Sequence, residues 1–191
     1  MSPTQTILQS LPGNVYAGLQ RADALWHDYR HGKIPIPDVV STQAELLGVE
    51  SCSEAYVAVI CGGSLGILLG AALARLGWRV ALLERTVLKG REQEWNISRS
   101  ELGVFVELGL LSETELERAI ATEYNPARIR FEGGEDIWVR DVLNVGVDPV
   151  YLLETLKQAF LTAGGKLLEN TPFLKARVAP DGVHVTAVDK T

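Results

Sequence analysis

Residues Cys61-Gly62-Gly63-Ser64-Leu65-Gly66 have the make-up of a backbone cradle for a diphosphate, and Glu84 follows 18 positions after Gly66. The chemistry they offer is binding rather than bond-making. Where a strand turns sharply into a helix, the first N–H groups of the helix have no partners inside it, and with the helix dipole behind them they hold an anion. The dinucleotide pattern is Gly-x-Gly-x-x-Gly at that turn, with an acid about 20 residues on for the ribose hydroxyls. Placing the last glycine at Gly66 puts the middle one at Gly63 and the first at Cys61, so Gly62 beside it must bend the chain. Gly63 then lets backbone approach the pyrophosphate, Gly66 lets the helix pack on the strand, and the N–H groups of Ser64, Leu65 and Gly66 face the phosphates. A carboxylate at Glu84 repels a 2′-phosphate and disfavours NADP. An ordinary glycine-rich turn would use the same residues; the turn together with the acid points to a dinucleotide.

The elements that must carry these residues can be read on either side of them. Ala55–Ile60 is an apolar, β-branched run and reads as strand one; a helix is expected from about Ser64 to Leu76, closed by Gly77, and strand two over Arg79–Glu84. Unbroken apolar runs suit a parallel strand covered on both faces. Asp148 and Pro149 open a further helix, with Leu152, Leu153, Leu156 and Phe160 as its buried stripe and Gly164-Gly165 at its end. Lys166–Leu168 then reads as a third parallel strand, and Leu174–Val178 with Val183–Val188 as a hairpin about Pro180-Asp181-Gly182. Between Glu84 and Asp148 lie about sixty inserted residues. Ser98-Arg99-Ser100-Glu101 and Ser112-Glu113-Thr114-Glu115 each match a capping box before an amphipathic stretch. Ile129–Phe131 and Ile137–Arg140 read as short strands around Gly133-Gly134. One competing reading takes the uncharged Ala55–Leu73 stretch, with Gly62, Gly66 and Gly70 at small-xxx-small spacing, as a membrane span. The Gly62-Gly63 break and the second apolar run Val80–Leu83 oppose it.

The first 54 residues read differently, as a helical arm and linker: apolar positions Val15, Leu19, Ala22, Leu25, Trp26 and Tyr29 recur at helical spacing, and Gly32, Pro35 and Pro37 favour an extended connection. That arm either packs on the main domain, residues 55–191, or extends from it as a mobile segment. A net charge of −6 and a pI near 5.1 argue against a nucleic-acid partner. Cys52 and Cys61, the only cysteines, are expected as buried free thiols in a reducing compartment, and no metal-ligand spacing includes them. No basic, then apolar, leader opens the chain, so a cytoplasmic location is expected.

A simple NAD domain would continue directly into another helix and strand. The long insertion and the later hairpin are instead similar to the glutathione-reductase-type FAD fold of aromatic hydroxylases and lycopene cyclases. The segment Gly90-Arg91-Glu92-Gln93-Glu94-Trp95-Asn96-Ile97-Ser98-Arg99 resembles the CruA/CruP-type lycopene cyclase flavoproteins of cyanobacteria and plastids, the CruP branch most closely. Cys61–Gly66, Glu123-Tyr124-Asn125-Pro126 and Ile137–Asn144 also resemble that family, so the likeness runs from about Ala55 to Phe173. It implies an α/β, Rossmann-like FAD-binding domain with an insertion at about 90–145. It also implies FAD held through Gly62, Gly63, Ser64, Leu65, Gly66 and Glu84, with Arg85 beside the acid. Arg91, Trp95, Asn96 and Arg99 are candidates for the flavin-side wall, since a guanidinium pairs with pyrophosphate and an indole stacks on a flat ring. The competing roles are a core anchor for Trp95 and pairing of the arginines with Glu92 and Glu94; Trp138 and Arg140 read as structural.

The implied substrate is a long apolar carotenoid, cyclised in a proton-initiated, redox-neutral reaction, with peripheral contact to a thylakoid or plasma membrane. Family members continue into a carotenoid-binding sheet that does not follow here, so the domain is expected to be incomplete at its C-terminus and to need a partner chain. None of the 24 acidic residues can be assigned to protonating a polyene. An FAD monooxygenase or polyene reductase, and a non-catalytic remnant, remain open beside the cyclase reading.

Overall fold

The computed structural model describes residues 2–13, 15–34, 39–42 and 54–188, which fall into two compact units, Met1–Val39 and Val40–Thr191. In the first, Ser2 and Pro3 start helix α1 (Pro3–Ser10), a helix not expected from the apolar pattern: the Ser2 hydroxyl accepts from the Gln5 N–H at 3.2 Å. Helix α2 (Val15–Arg30) lies where the apolar spacing placed it. Its stripe stays in solvent: Leu25, Trp26 and Tyr29 are each at least 60% exposed.

The second unit is built on a strand–helix–strand. Strand β1 (Val40–Ser41) precedes it and belongs to a separate sheet. Strand β2 (Ala58–Cys61) leads into helix α3 (Gly63–Arg75), and strand β3 (Val80–Leu83) returns parallel to β2 with Ala58 opposite Val80. Strand β2 starts three residues later than the apolar run suggested. Its partner begins only after the Gly77 turn, so Val57 N–H to Arg79 O is the first bond the pair can make.

An excursion follows. It contains β4 (Trp95–Ile97), α4 (Arg99–Glu107), α5 (Glu113–Ala119), β5 (Ile120–Glu123), β6 (Ala127–Ile129), β7 (Ile137–Val139) and β8 (Val145–Val147). Both capping boxes form: Ser98 with Glu101 opens α4, and Ser112 with Glu115 opens α5. Strand β8 is the centre of an antiparallel sheet ordered β4-β8-β5. Strands β6 and β7 pair as a hairpin in which β6 lies two residues earlier than expected, while β7 starts at Ile137 as expected and ends one residue sooner. Arg128 and Arg130 both reach Asp136, which draws Arg130 and Phe131 into the connecting loop.

Helix α6 (Pro149–Thr162) then runs back to strand β9 (Lys166–Leu168), parallel to β3, so the nucleotide sheet reads β2-β3-β9. Strands β10 (Phe173–Ala179) and β11 (Gly182–Ala187) form the expected hairpin, with β1 parallel on its outer edge. Helices α3 and α6 pack together over the sheet, and Ile67, Leu82, Leu153, Leu156 and Phe160 are wholly buried between them. The Asp148 carboxylate caps α6, accepting from Val150 N–H at 2.8 Å and Tyr151 N–H at 3.2 Å. Asp148→Ala is therefore expected to cost about 1 kcal/mol of stability, read as a lower urea midpoint at unchanged m. An unshifted midpoint would show that the cap contributes nothing.

Candidate nucleotide site

The glycine turn and the acid meet. Gly62 takes φ +127°, ψ 117°, a conformation that only glycine adopts at low cost, and its N–H donates to Leu83 O at 3.0 Å, tying the turn to the end of β3. The next N–H, that of Gly63, donates to Glu84 Oε2 at 2.9 Å. Glu84 Oε1 accepts from the Thr86 N–H at 3.0 Å and the Thr86 hydroxyl at 3.1 Å. A Cβ on Gly63 would stand 2.6 Å from Glu84 Oε2 and 2.9 Å from Leu88 Cδ1. A side chain at position 63 would therefore push the Glu84 carboxylate and Leu88 from their places, before any ligand arrives. On Gly66, a Cβ would come 2.7 Å from Ile60 Cγ2, which is the close helix-on-strand packing expected of the third glycine.

Gly62 provides no side-chain cap, so the N–H groups of Ser64 and Leu65, both exposed, have no partner inside the helix. Beside them the loop after Glu84 carries Arg85, Lys89 and Arg91, exposed cations that form no ion pair among the described residues. The donor set is therefore two helix N–H groups, a rigidly held carboxylate and nearby positive charge. It suits a ribose followed by a diphosphate.

Partial burial pushes the Glu84 carboxyl up, but the N–H groups of Thr86 and Gly63, with the Thr86 hydroxyl, outweigh it and hold it below the ordinary carboxylate value. Glu101 is lowered by its capping-box bonds to Ser98, and Glu117 by Arg99. A lowered folded value means stability that is complete above the unfolded carboxylate range, near 4.3, and lost as pH falls through the folded values. The thermal midpoint is accordingly expected to be flat from about pH 8 to 6 and to drop below about pH 4.5. A midpoint that rose on acidification would contradict these bonds.

The remaining candidates are more scattered. Arg99 is committed elsewhere: its guanidinium meets Glu117 Oε1 at 2.6 Å and Glu123 at 2.7 Å, tying the start of α4 to α5 and β5. The pairing considered with Glu92 and Glu94 does not form; Glu94 instead reaches the Thr122 hydroxyl at 3.4 Å. Trp95 packs half-buried against the core, while Asn96 is exposed opposite Gly146 on the other face of β4. Cys61 is exposed, not buried as expected, because β2 ends there and its side chain lies at the mouth of the turn; partial desolvation still raises its thiol pKa. Cys52 lies outside the described residues. Among the described residues there is no group of three metal-ligating side chains, and no helix long and apolar enough to cross a membrane.

Three contributors went unread in the sequence. Thr86 fixes Glu84, Leu88 fills the space against Gly63, and Gly90 lies so close to α6 that a Cβ would stand 2.2 Å from Pro149 O. The glycine spaced just beyond the acid was the available signal for the last.

No family model and no curated protein matches the chain. Its fold is similar to part of several solved structures, FAD-dependent enzymes among them. It is similar to the flavin-dependent monooxygenase PieE, crystallised with FAD and substrate, at 16% identity and TM-score 0.58, over 73% of this chain and 28% of that one. The myxobacterial chondrochloren halogenase CndH is similar at 21% identity and TM-score 0.58, over 71% and 33%. A geranylgeranyl bacteriochlorophyll reductase-like protein of Thermoplasma acidophilum is similar at 18% identity and TM-score 0.55, over 72% and 36%. The chain spans about a third of the length of these structures. The architecture is thus a partial Rossmann-like, mixed α/β domain.

Proposed function

We propose that this chain is the nucleotide-binding portion of an FAD-dependent flavoprotein. The observation that carries the reading is the contact of the Glu84 carboxylate with the Gly63 N–H, which puts a ribose acceptor beside an uncapped helix N-terminus. In this reading Glu84 accepts from the adenosine ribose hydroxyls, Ser64 and Leu65 N–H groups donate to the diphosphate, and Gly66 keeps α3 close enough to do so. Arg85 and Arg91 add positive charge, with Asn96, on the exposed face of β4, left toward the flavin. Bound FAD would supply the redox-active ring; this chain's own residues bind and orient it.

Within that class the stretches Gly90–Arg99, Glu123–Pro126 and Ile137–Asn144 favour a lycopene-cyclase-like protein acting on a long polyene. The apolar surface of Phe131, Trp138, Val142 and Leu143, each more than half exposed, would suit such a substrate or a peripheral membrane contact from the cytoplasmic side. The architecture shared with PieE and with the reductase-like protein favours, as the second reading, a monooxygenase or polyene reductase.

The test is to incubate the purified chain with FAD, desalt it and record its spectrum. Flavin bands that release FAD on denaturation support the reading; a colourless chain at saturating FAD defeats it. NADPH consumption coupled to oxygen in the completed enzyme would favour the second reading over the cyclase.

A further inference from the structure

The end of β9 grips the loop that carries the ribose acid. Glu84 N–H donates to Leu168 O at 2.8 Å, Thr171 N–H to Glu84 O at 2.9 Å, and Asn170 N–H to Thr86 O at 2.9 Å. One side chain extends this row of backbone bonds: Glu169 Oε1 accepts from Leu88 N–H at 2.9 Å. The same oxygen accepts from Lys157 Nζ on α6 at 2.8 Å. The pair is largely withdrawn from solvent, with side chains 16% and 27% exposed, so water screens it less than a surface ion pair. Leu88, which Glu169 holds, is itself buried and presses on Gly63. Contacts therefore run unbroken from Lys157 through Glu169 and Leu88 to the glycine turn.

We infer that Glu169, clamped by Lys157, is a positioning residue for the nucleotide site: through Leu88 it fixes the Thr86–Gly90 loop against the Gly62–Gly63 turn without touching the ligand. The inference rests on the dinucleotide reading of that turn. Its consequence is steric: Leu88 keeps its place against Gly63 only while the Glu169 carboxylate holds its N–H. Glutamine at position 169 keeps a carbonyl acceptor for the Leu88 N–H, whereas leucine removes it and leaves a buried donor unpaired.

The experiment uses the full chain and three variants, Glu169→Gln, Glu169→Leu and Lys157→Met. FAD dissociation constants come from flavin fluorescence quenching, and amide exchange at Gly63 and Leu88 is followed without FAD. Glu169→Leu is expected to weaken FAD binding about five- to tenfold and to speed exchange at both amides, with Glu169→Gln recovering most of each and Lys157→Met lying between. If Glu169→Leu lowers the thermal midpoint but leaves FAD affinity and exchange at Gly63 unchanged, the positioning role is overturned while the nucleotide site stands. A wild-type chain that takes up no FAD overturns the nucleotide reading, and the positioning role with it.

Discussion

Replacing Gly63 with valine is expected to abolish FAD binding, with no flavin retained at concentrations a hundred times those that saturate the wild type. A Cβ at this position already falls 2.6 Å from Glu84 Oε2 and 2.9 Å from Leu88 Cδ1, and valine adds two methyl groups there. The carboxylate must leave the turn, which breaks its bond to the Gly63 N–H, or Leu88 must leave the core. Overpacking of this kind costs typically 1–3 kcal/mol of stability as well. Binding and thermal stability should therefore fall together. Alanine at 63 separates the two effects, since it brings the same first clash without the extra bulk. A valine variant that stays yellow through desalting would show that neither Glu84 nor Leu88 stands where the structure puts it.

Glu84→Ala is expected to weaken FAD by about ten- to a hundredfold, the equivalent of losing one charge-assisted hydrogen bond at about 1.5–3 kcal/mol. Alanine also strands the N–H groups of Gly63 and Thr86, both of which the carboxylate satisfies. Glu84→Gln retains an acceptor and should recover the fold before it recovers the affinity. Titration calorimetry with FAD, and with a 2′-phosphorylated nucleotide as the contrast, reads both effects. Equal affinity of wild type and Glu84→Ala for FAD would remove the acid from the site.

How much of this could be read in advance depended on distance along the chain. Helices α3 and α6, their glycine ends and the stripe Leu152, Leu153, Leu156 and Phe160 were legible because caps and apolar spacing are local signals. So were both serine–glutamate boxes. The sheet β4-β8-β5 was not, since its strands are three or four residues long and its central one has Gly146 in the middle, where a Cβ would meet Thr122 Oγ1 at 2.5 Å. A glycine inside a strand marks such an approach only once the neighbour is known.

The candidate site divides along the same line. Gly63, Gly66 and Glu84 follow a spacing rule, with Gly62 standing one place beyond the pattern's first position at Cys61. The commitment of Arg99 to Glu117 and Glu123 depends on residues 18 and 24 positions away, and nothing near Arg99 announces it. Gly90 owes its identity to Pro149, across the whole excursion, and Glu169 serves a loop 81 positions before it.

The pairing of Ala81 with Lys166 has a kinetic consequence. These partners are 85 residues apart (166 − 81), and closing so wide a circuit is what slows the folding of sheets built from remote strands. At a synthesis rate of about 5–20 residues per second, the ribosome needs on the order of ten seconds to deliver β9 after β3. During that interval β3 offers one bare rim to its surroundings and Glu84 has no Leu168 carbonyl to bind. The nucleotide pocket is thus closed only when β9 emerges, and until then a chaperone or a neighbouring nascent chain can reach that rim first.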